Sequence, residues 1–372
     1  MHTLVISDLH LGIGSGADVL TRQQPLHALL SRLENVQRLV LLGDVLELRS
    51  GPARDALAVA EPVMRAIGDA LGSGGEVLLS AGNHDHAIAA GWLDWRGRRE
   101  TPEPLGLEQR VAPHHSSWIA KRLAGWLSPA SVEVVYPGVW LRDDVYAMHG
   151  HYLDAHTELP TIERIASGVM GRMVGELPDP ATPDDYEARL APIYAWIHAS
   201  AQRAAPQRSA AGGGGVGVKV WNRLERTGSR RSLRRLAVVA PFRAAVLAAN
   251  RAGIGPLRPE TGPPALRTAG LKGLAETAWR LRLPASGHLV SGHTHRTGML
   301  PGDAASEWRT SGGTQLHNTG SWVFETHFMG NERPGASPYW PGGAIALGDK
   351  GAPQLERLLA DLPASALIGT PR

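Results

Sequence analysis

Apolar residues in the first ninety positions follow two alternating rhythms. HTLVIS (2–7), QRLVLLG (37–43) and EVLLSAG (76–82) are short apolar runs that each stop at a polar loop, as strands buried on both faces do. Between them, Leu26, Leu29, Leu30 and Leu33 within residues 20–35 recur at helical spacing. So do Ala56, Val59, Ala60, Val63, Ile67 and Leu71 within residues 53–71. Strands alternating with helices predict an α/β fold with a parallel sheet covered on both faces. In such sheets the loops at the carboxyl ends of the strands form the ligand crevice.

Farther along, DVYAMHG (144–150), GHLVSGH (287–293), TQLHNTG (314–320), WVFETHF (322–328) and GAIALG (343–348) read as additional strands. Residues 155–285 read as mostly helical with breaks. GGGG at 212–215 marks a loop, and Pro241 interrupts the apolar stretch SLRRLAVVAPFRAAVLAAN (232–250). The expected organisation is a core from 1–154 and 286–350, a helical insertion or cap over 155–285, and a C-terminal tail over 351–372. No internal repeat is present.

The strand ends carry Asp8 and His10, then Asp44, then Asn83 and His84, then His149, then His293 and His295. Imidazole, carboxylate and amide oxygen are ligand types for divalent metals. Asp-x-His and His-x-His place two ligands on one side if the segment is extended. A single Asp-x-His is more often an ordinary turn, and Asn83–His84–Asp85 alone could be a turn closed by its Asn and Asp side chains. Five strand ends, each supplying ligand types, point instead to a shared metal centre. Gly82 is expected to permit the turn into Asn83.

Composition narrows the chemistry. The chain has 372 residues, 43% hydrophobic and 20% charged, which suits one large domain with insertions or two domains. Cysteine is absent, so disulfides and thiolate metal sites are excluded, and a reducing, cytoplasmic setting is expected. The start MHTLVISDLHLG lacks the basic opening of a secretory leader, and no apolar run reaches the ~18 residues of a membrane span. Net charge is +3 but uneven: residues 201–235 hold nine Lys or Arg against the single acid Glu225. Such a stretch can meet phosphates or, across 201–250, an anionic lipid surface; equally it can be a solvated face of the insertion.

ISDLHLG (6–12), LLGDVLE (41–47), SAGNHDH (80–86), MHGH (148–151) and SGHTH (291–295), followed by HNTGSW (317–322), resemble the motifs of the calcineurin-like metallophosphoesterase family, in that family's order. The resemblance covers the strand-forming half of the chain and not residues 155–285. It implies a four-layer α/β/β/α sandwich with a mostly helical insertion. It further implies two divalent metal ions, with Asp8, His10 and His295 on one, Asn83, His149 and His293 on the other, and Asp44 bridging both. Nitrogen and oxygen ligation suits Mn, Fe, Zn or Co. The implied reaction is hydrolysis of a phosphoester or phosphoanhydride by metal-bridging hydroxide, with His84 catalytic at the scissile bond. Glu47 matches the family position of the carboxylate that orients His84, and Asp85 is its rival. His151, Arg49 and Arg296 are candidate substrate contacts, His151 being equally a support for its neighbours.

The substrate expected from the basic and apolar mix of the insertion is a small or amphiphilic phosphorylated molecule. Bacterial UDP-diacylglucosamine pyrophosphatases look partly similar, sharing the ISDLHLG opening and a helical cap. They usually carry Arg after the ligand Asn, where this chain has His84, so the correspondence breaks at that point. Two rival readings are a nuclease using the basic stretch on nucleic-acid phosphates and a non-catalytic binding scaffold on the same fold.

Overall fold

The computed structural model describes residues 2–203, 243–259, 263–326, 329 and 335–372. In chain order the named elements are β1 (Thr3–Ile6), α1 (Gln23–Leu33), β2 (Arg38–Leu42), α2 (Ala53–Leu71), β3 (Glu76–Ser80), α3 (Ala87–Gly97), β4 (Glu108–Val111), α4 (Pro113–Ser116), α5 (Trp118–Trp126), β5 (Ser131–Arg142) and β6 (Val145–Met148). Then follow α6 (Ile162–Val174), α7 (Pro183–Arg203), α8 (Pro263–Arg280), β7 (His288–Ser291), β8 (Gln315–Asn318), β9 (Gly343–Leu347) and β10 (Gln354–Arg357). Residues 243–251 are also helical.

The strands run in the order β10-β9-β1-β2-β3-β5-β6-β7-β8, with β4 beside β5. β1, β2, β3 and the first half of β5 pair in parallel, as the βα rhythm predicts. β5 connects two arms of the sheet. Its residues 131–135 pair with β3 and its residues 138–142 pair antiparallel with β6. β6, β7 and β8 then continue in parallel.

Side-chain alternation shows that the arms face each other. Val5, Val40 and Leu78 from one arm and Val145, Ala147 and Val290 from the other share an inner core. Their neighbours in sequence point outward. Leu4, Leu39 and Leu79 pack with Leu29, Val63 and Leu123 of α1, α2 and α5. Tyr146, Leu289 and Leu316 pack with Tyr186, Leu190 and Leu274 of α7 and α8. Helices, sheet, sheet, helices is the four-layer α/β/β/α architecture that the motifs imply. Each fully buried Leu or Val contributes about 1.5–3 kcal/mol, so these three cores fix which way every strand faces and hence where its carboxyl-end loop goes.

Two sequence expectations are corrected, and two stretches of strand were missed. WVFETHF is not a strand where it is described; only Val323 forms an isolated bridge, to Asp18. Its backbone is committed to the loop after β1, with the Trp322 amide donating to the Asp8 carbonyl (2.9 Å) and the Phe324 amide to the Ala17 carbonyl (2.8 Å). Residues 327–328 lie outside the described residues. Residues 351–372 are not a loose tail. β10 extends the sheet along β9, and Leu359 and Leu367 are fully buried in the core. β4 and the start of β5 were missed because Gln109, Arg110 and Glu133 break the apolar run. The chain between β6 and β7 is helical where described. Its glycine run, Pro241 and the basic stretch beyond Arg203 lie outside the described residues. Among the described residues no helix is long and apolar enough to cross a membrane.

Candidate metal centre

Five of the ligand-type residues sit in left-handed backbone, not in extended segments as the Asp-x-His argument assumed. φ is +55° at Asp8, +45° at His10, +51° at Asp44, +66° at His293 and +56° at His295. Such conformations cost about 1–3 kcal/mol each in non-glycine residues and cluster at functional sites. They are held by backbone bonds between loops: the Asp8 amide donates to the Gly43 carbonyl (3.1 Å) and the His10 amide to the Asp44 carbonyl (2.9 Å). Gly82 also differs from expectation. It does not adopt positive φ. It is required because a Cβ there would run into the Asp44 carboxylate and backbone.

The seven ligand candidates come together. Asp8, His10 and His295 form one group able to hold a cation, and Asp44, His149 and His293 form a second. In the first, the His10 and His295 Nε2 atoms are 3.1 Å apart, and Asp8 Oδ1 lies 3.3 Å from His295 Nε2. In the second, Asp44 Oδ2 lies 3.3 Å from His149 Nε2, and it is also 3.7 Å from His10 Nε2 in the first group. Asp44 therefore stands between the groups. Asn83 joins the second, its Oδ1 lying 3.1 Å from His293 Nδ1 and 3.4 Å from His149 Nε2.

The tautomers show what this set requires. His149 Nδ1 faces the Leu42 carbonyl (2.9 Å), and His293 Nε2 faces Asp154 Oδ1 (3.0 Å). Each imidazole uses its N–H on that partner, so His149 Nε2 and His293 Nδ1 present lone pairs inward. His10 Nδ1 likewise faces Glu47 Oε2 at 3.3 Å. The Asn83 oxygen thus meets only acceptors. Turned about, the amide would donate to Asp44 and His293 and accept from Arg49 Nη1 at 2.8 Å. Asp8 Oδ1 is buried without a hydrogen-bond partner. Converging lone pairs and an orphaned carboxylate oxygen are satisfied by cations, so the donor set fits two divalent ions.

Electrostatics agrees. Burial would raise the Asp44 carboxyl, but His149, His84 and His10 hold it well below its ordinary value. Burial would lower the His149 imidazole, yet Asp44 and Asp8 raise it to about 9. The carboxylates therefore attract positive charge to this point, and metal must compete there with protons.

His84 lies close enough to His10 and Asp44 to form a third such group, of which it is the most exposed member. Its Nδ1 lies 2.7 Å from Glu47 Oε2, and its side chain keeps 26% of its surface exposed. Glu47, and not Asp85, is the carboxylate that meets His84. Asp85 is buried elsewhere. Its two oxygens accept from the backbone amides of Gly82 (2.7 Å), Asp44 (3.1 Å), Val45 (2.7 Å) and Leu46 (3.2 Å), tying the loops after β2 and β3 together.

The candidate substrate contacts separate. Arg49 reaches the site, with Nη1 3.5 Å from His84 Nε2 and Nη2 bonded to Glu163 of α6. Arg296 does not. Its guanidinium bonds Asp303 (2.8 Å) and lies over the Trp308 ring, which accounts for its burial. His151 is fully buried against Tyr136 (3.3 Å), and burial followed by the nearby His149 pushes its imidazole well below the usual range. The fully buried ring lies beside His149 and Tyr136 rather than presenting an edge to solvent.

Sequence reasoning missed Asp154, Glu163 and Glu187. Glu187 of α7 takes hydrogen bonds from Tyr136 (2.6 Å) and Tyr152 (2.7 Å) and faces His86 Nε2 at 3.1 Å, linking the helical region to the loop after β3. None of the three has a local signal. Each lies in helical sequence and meets its partner only through the tertiary fold.

A family model for the calcineurin-like phosphoesterases matches residues 1–197. No curated protein matches the chain. Among solved structures, a dimetal phosphatase from Danio rerio aligns at 14% identity over 93% of this chain and 92% of that one, with a TM-score of 0.31.

Proposed function

The chain belongs to the calcineurin-like phosphoesterase family, and from that premise we propose that it hydrolyses a phosphoester or phosphoanhydride bond in an amphiphilic phosphorylated small molecule. The observation that carries the catalytic part is His84, whose Nδ1 meets Glu47 at 2.7 Å while Nε2 is turned to Arg49 Nη1 at 3.5 Å on a partly exposed ring. Asp8, His10, His295, Asn83, His149 and His293 would hold two divalent ions, with Asp44 shared between them. When bound, such ions supply Lewis acidity that lowers the pKa of water and neutralises phosphoryl charge. Glu47 keeps the His84 N–H on Nδ1, or stabilises the imidazolium when Nε2 also carries a proton. A protonated Nε2 can then deliver that proton to the leaving oxygen, and Arg49 can meet a phosphoryl oxygen from the same side.

The substrate part rests on α6. Ile162 (48% exposed), Ile165 (39%), Val169 (42%) and Met173 (75%) form a row at helical spacing beside Glu163, the residue that bonds Arg49. An apolar row leading away from the phosphoryl side suits a substrate with an apolar substituent. A nuclease reading is less favoured, because the helical residue that reaches Arg49 is an acid and nucleic-acid phosphates call for a basic lining. A lipid-surface contact through 201–250, manganese as the loaded metal, and cytoplasmic residence belong to the same proposal.

The test is metal analysis of the purified protein with a hydrolysis panel in Mn, Fe, Zn and Co. The panel pairs each phosphomonoester, phosphodiester and nucleotide-linked pyrophosphate with an acyl-bearing counterpart, and adds single-stranded DNA. The expected outcome is two bound ions per chain and a kcat/KM at least about ten-fold higher for the acyl-bearing member. Turnover of none of these with any metal would overturn the enzyme assignment, and equal rates within each pair would overturn the amphiphile.

A further inference from the structure

We propose that Glu163, the acid at the start of α6, selects a singly charged phosphoryl group by holding Arg49 and offsetting its charge at the catalytic side of the metal centre. The inference rests on the phosphoesterase reading and names the class of phosphoryl group that the site accepts.

The geometry begins with how α6 is seated. Thr161 caps the helix by accepting from the Arg164 amide (3.0 Å), and the buried Arg164 side chain donates through Nε to the Thr157 carbonyl (2.8 Å). These bonds fix the first turn, and Glu163 lies within it. Its carboxylate bonds Arg49 Nη2, and both side chains are only 15% exposed. Arg49 is fixed from the other end as well, its backbone amide donating to Glu47 Oε1 at 3.0 Å. The other guanidinium nitrogen, Nη1, is turned to His84 Nε2 at 3.5 Å. Glu47, His84, Arg49 and Glu163 thus form a row in which acids flank the two groups that face substrate.

Both members of the outer pair are charged. Burial would raise the Glu163 carboxyl, but Arg49 first and His84 more weakly hold it below its ordinary value. The net charge that Arg49 would otherwise present is therefore cancelled locally, with one of its edges left as a hydrogen-bond donor. A phosphodiester, or the internal phosphate of a pyrophosphate, carries one charge. A phosphomonoester carries close to two at neutral pH. Beside a partly buried carboxylate the second charge is repelled, because like charges in a weakly solvated site repel strongly. Glu163 is a positioning and specificity residue in this scheme and does not itself touch the reacting atoms.

The experiment compares the metal-loaded wild type with Glu163→Gln, Glu163→Asn and Glu163→Asp, using a phosphomonoester and a phosphodiester with the same leaving group. Inorganic phosphate binding is measured by calorimetry at pH 8. In both neutral variants the monoester-to-diester ratio of kcat/KM should rise about ten-fold, mainly through a lower monoester KM, and phosphate should bind about ten-fold tighter. Glu163→Asp, which keeps the charge, should keep the wild-type ratio. A ratio and a phosphate Kd within two-fold of wild type in the neutral variants would overturn the proposal. So would a parallel fall for both substrates, which a merely structural role predicts. Wild-type protein that turns over neither substrate would instead overturn the phosphoesterase reading on which it rests.

Discussion

Replacing Asp85 tests how the metal loops are held. Its carboxylate accepts four backbone amides, from Gly82, Asp44, Val45 and Leu46. Asp85→Asn keeps one oxygen for two of them and turns an NH2 toward the other two. A buried amide left without an acceptor costs about 1–3 kcal/mol, so two cost roughly 2–6 kcal/mol. A second effect has the opposite sign. Burial first, and then the charge on Asp44, raise the Asp85 carboxyl to about 6. Removing that charge in the metal-free protein recovers part of the loss, because a displacement of about two pH units corresponds to ~3 kcal/mol. With cations bound, the repulsion from Asp44 is compensated and less is recovered. The substitution should therefore destabilise the metal-loaded protein more than the metal-free one. By linkage that difference is lost metal affinity, of the order of 10–100-fold. Scanning calorimetry with and without chelator, beside metal titration, measures both. For a chain of this length each kcal/mol moves Tm by about 1–2 °C. Asp85→Ala, which removes all four acceptors, should fall further in both assays. A metal-loaded Tm and metal Kd equal to wild type in Asp85→Ala would refute the reasoning.

Other outcomes follow from the same geometry. His84→Ala should retain its full metal content while kcat falls about 10²–10⁴-fold, since the His84 Nδ1 is engaged by Glu47 and seven other candidates remain to hold the ions; unchanged turnover refutes its role. Asp154→Ala should weaken metal binding about 10–100-fold by freeing the His293 ring, measured by titration calorimetry, and an unchanged Kd refutes it. Burial, then Arg280, Arg164 and Arg189, push the His156 imidazole down to about 3. The unfolded chain takes up that proton near pH 6.5 and the folded chain does not, so stability is lost as pH falls from 6.5 toward 3, by up to ~1.4 kcal/mol per pH unit. His156→Gln should reduce that slope between pH 4 and 6 in thermal or urea unfolding, and an unchanged slope refutes the assignment.

The alternation of apolar runs with helical spacing was enough to place β1, β2, β3, α1 and α2, because each is a local rhythm read off consecutive residues. The candidate ligand set was legible for a related reason. Asp8, Asp44, Asn83, His149 and His293 each close a strand that the apolar pattern marks, and a parallel sheet brings such ends to one side. Glu47 over Asp85 was favoured by the resemblance alone and not decided by the residues themselves. Both are acids a few residues from a ligand, and only the left-handed turns at Asp44 and the loop packing show that Asp85 is consumed by four backbone amides while Glu47 meets His84. Arg49 and Arg296 looked alike in sequence, yet Asp303 and Trp308 enclose one while Glu163 delivers the other to the site. WVFETHF had strand composition, but its amides bond the loop after β1. Asp154, Glu163 and Glu187 carry no signal in their own helices, because their partners lie on other elements and hydrogen bonds between distant segments leave no local period. Local pattern thus determined β1 to β3 with the helices between them and marked the candidate metal ligands, and tertiary contacts decided which acids and bases lie beside His84 and which hold the loops in place.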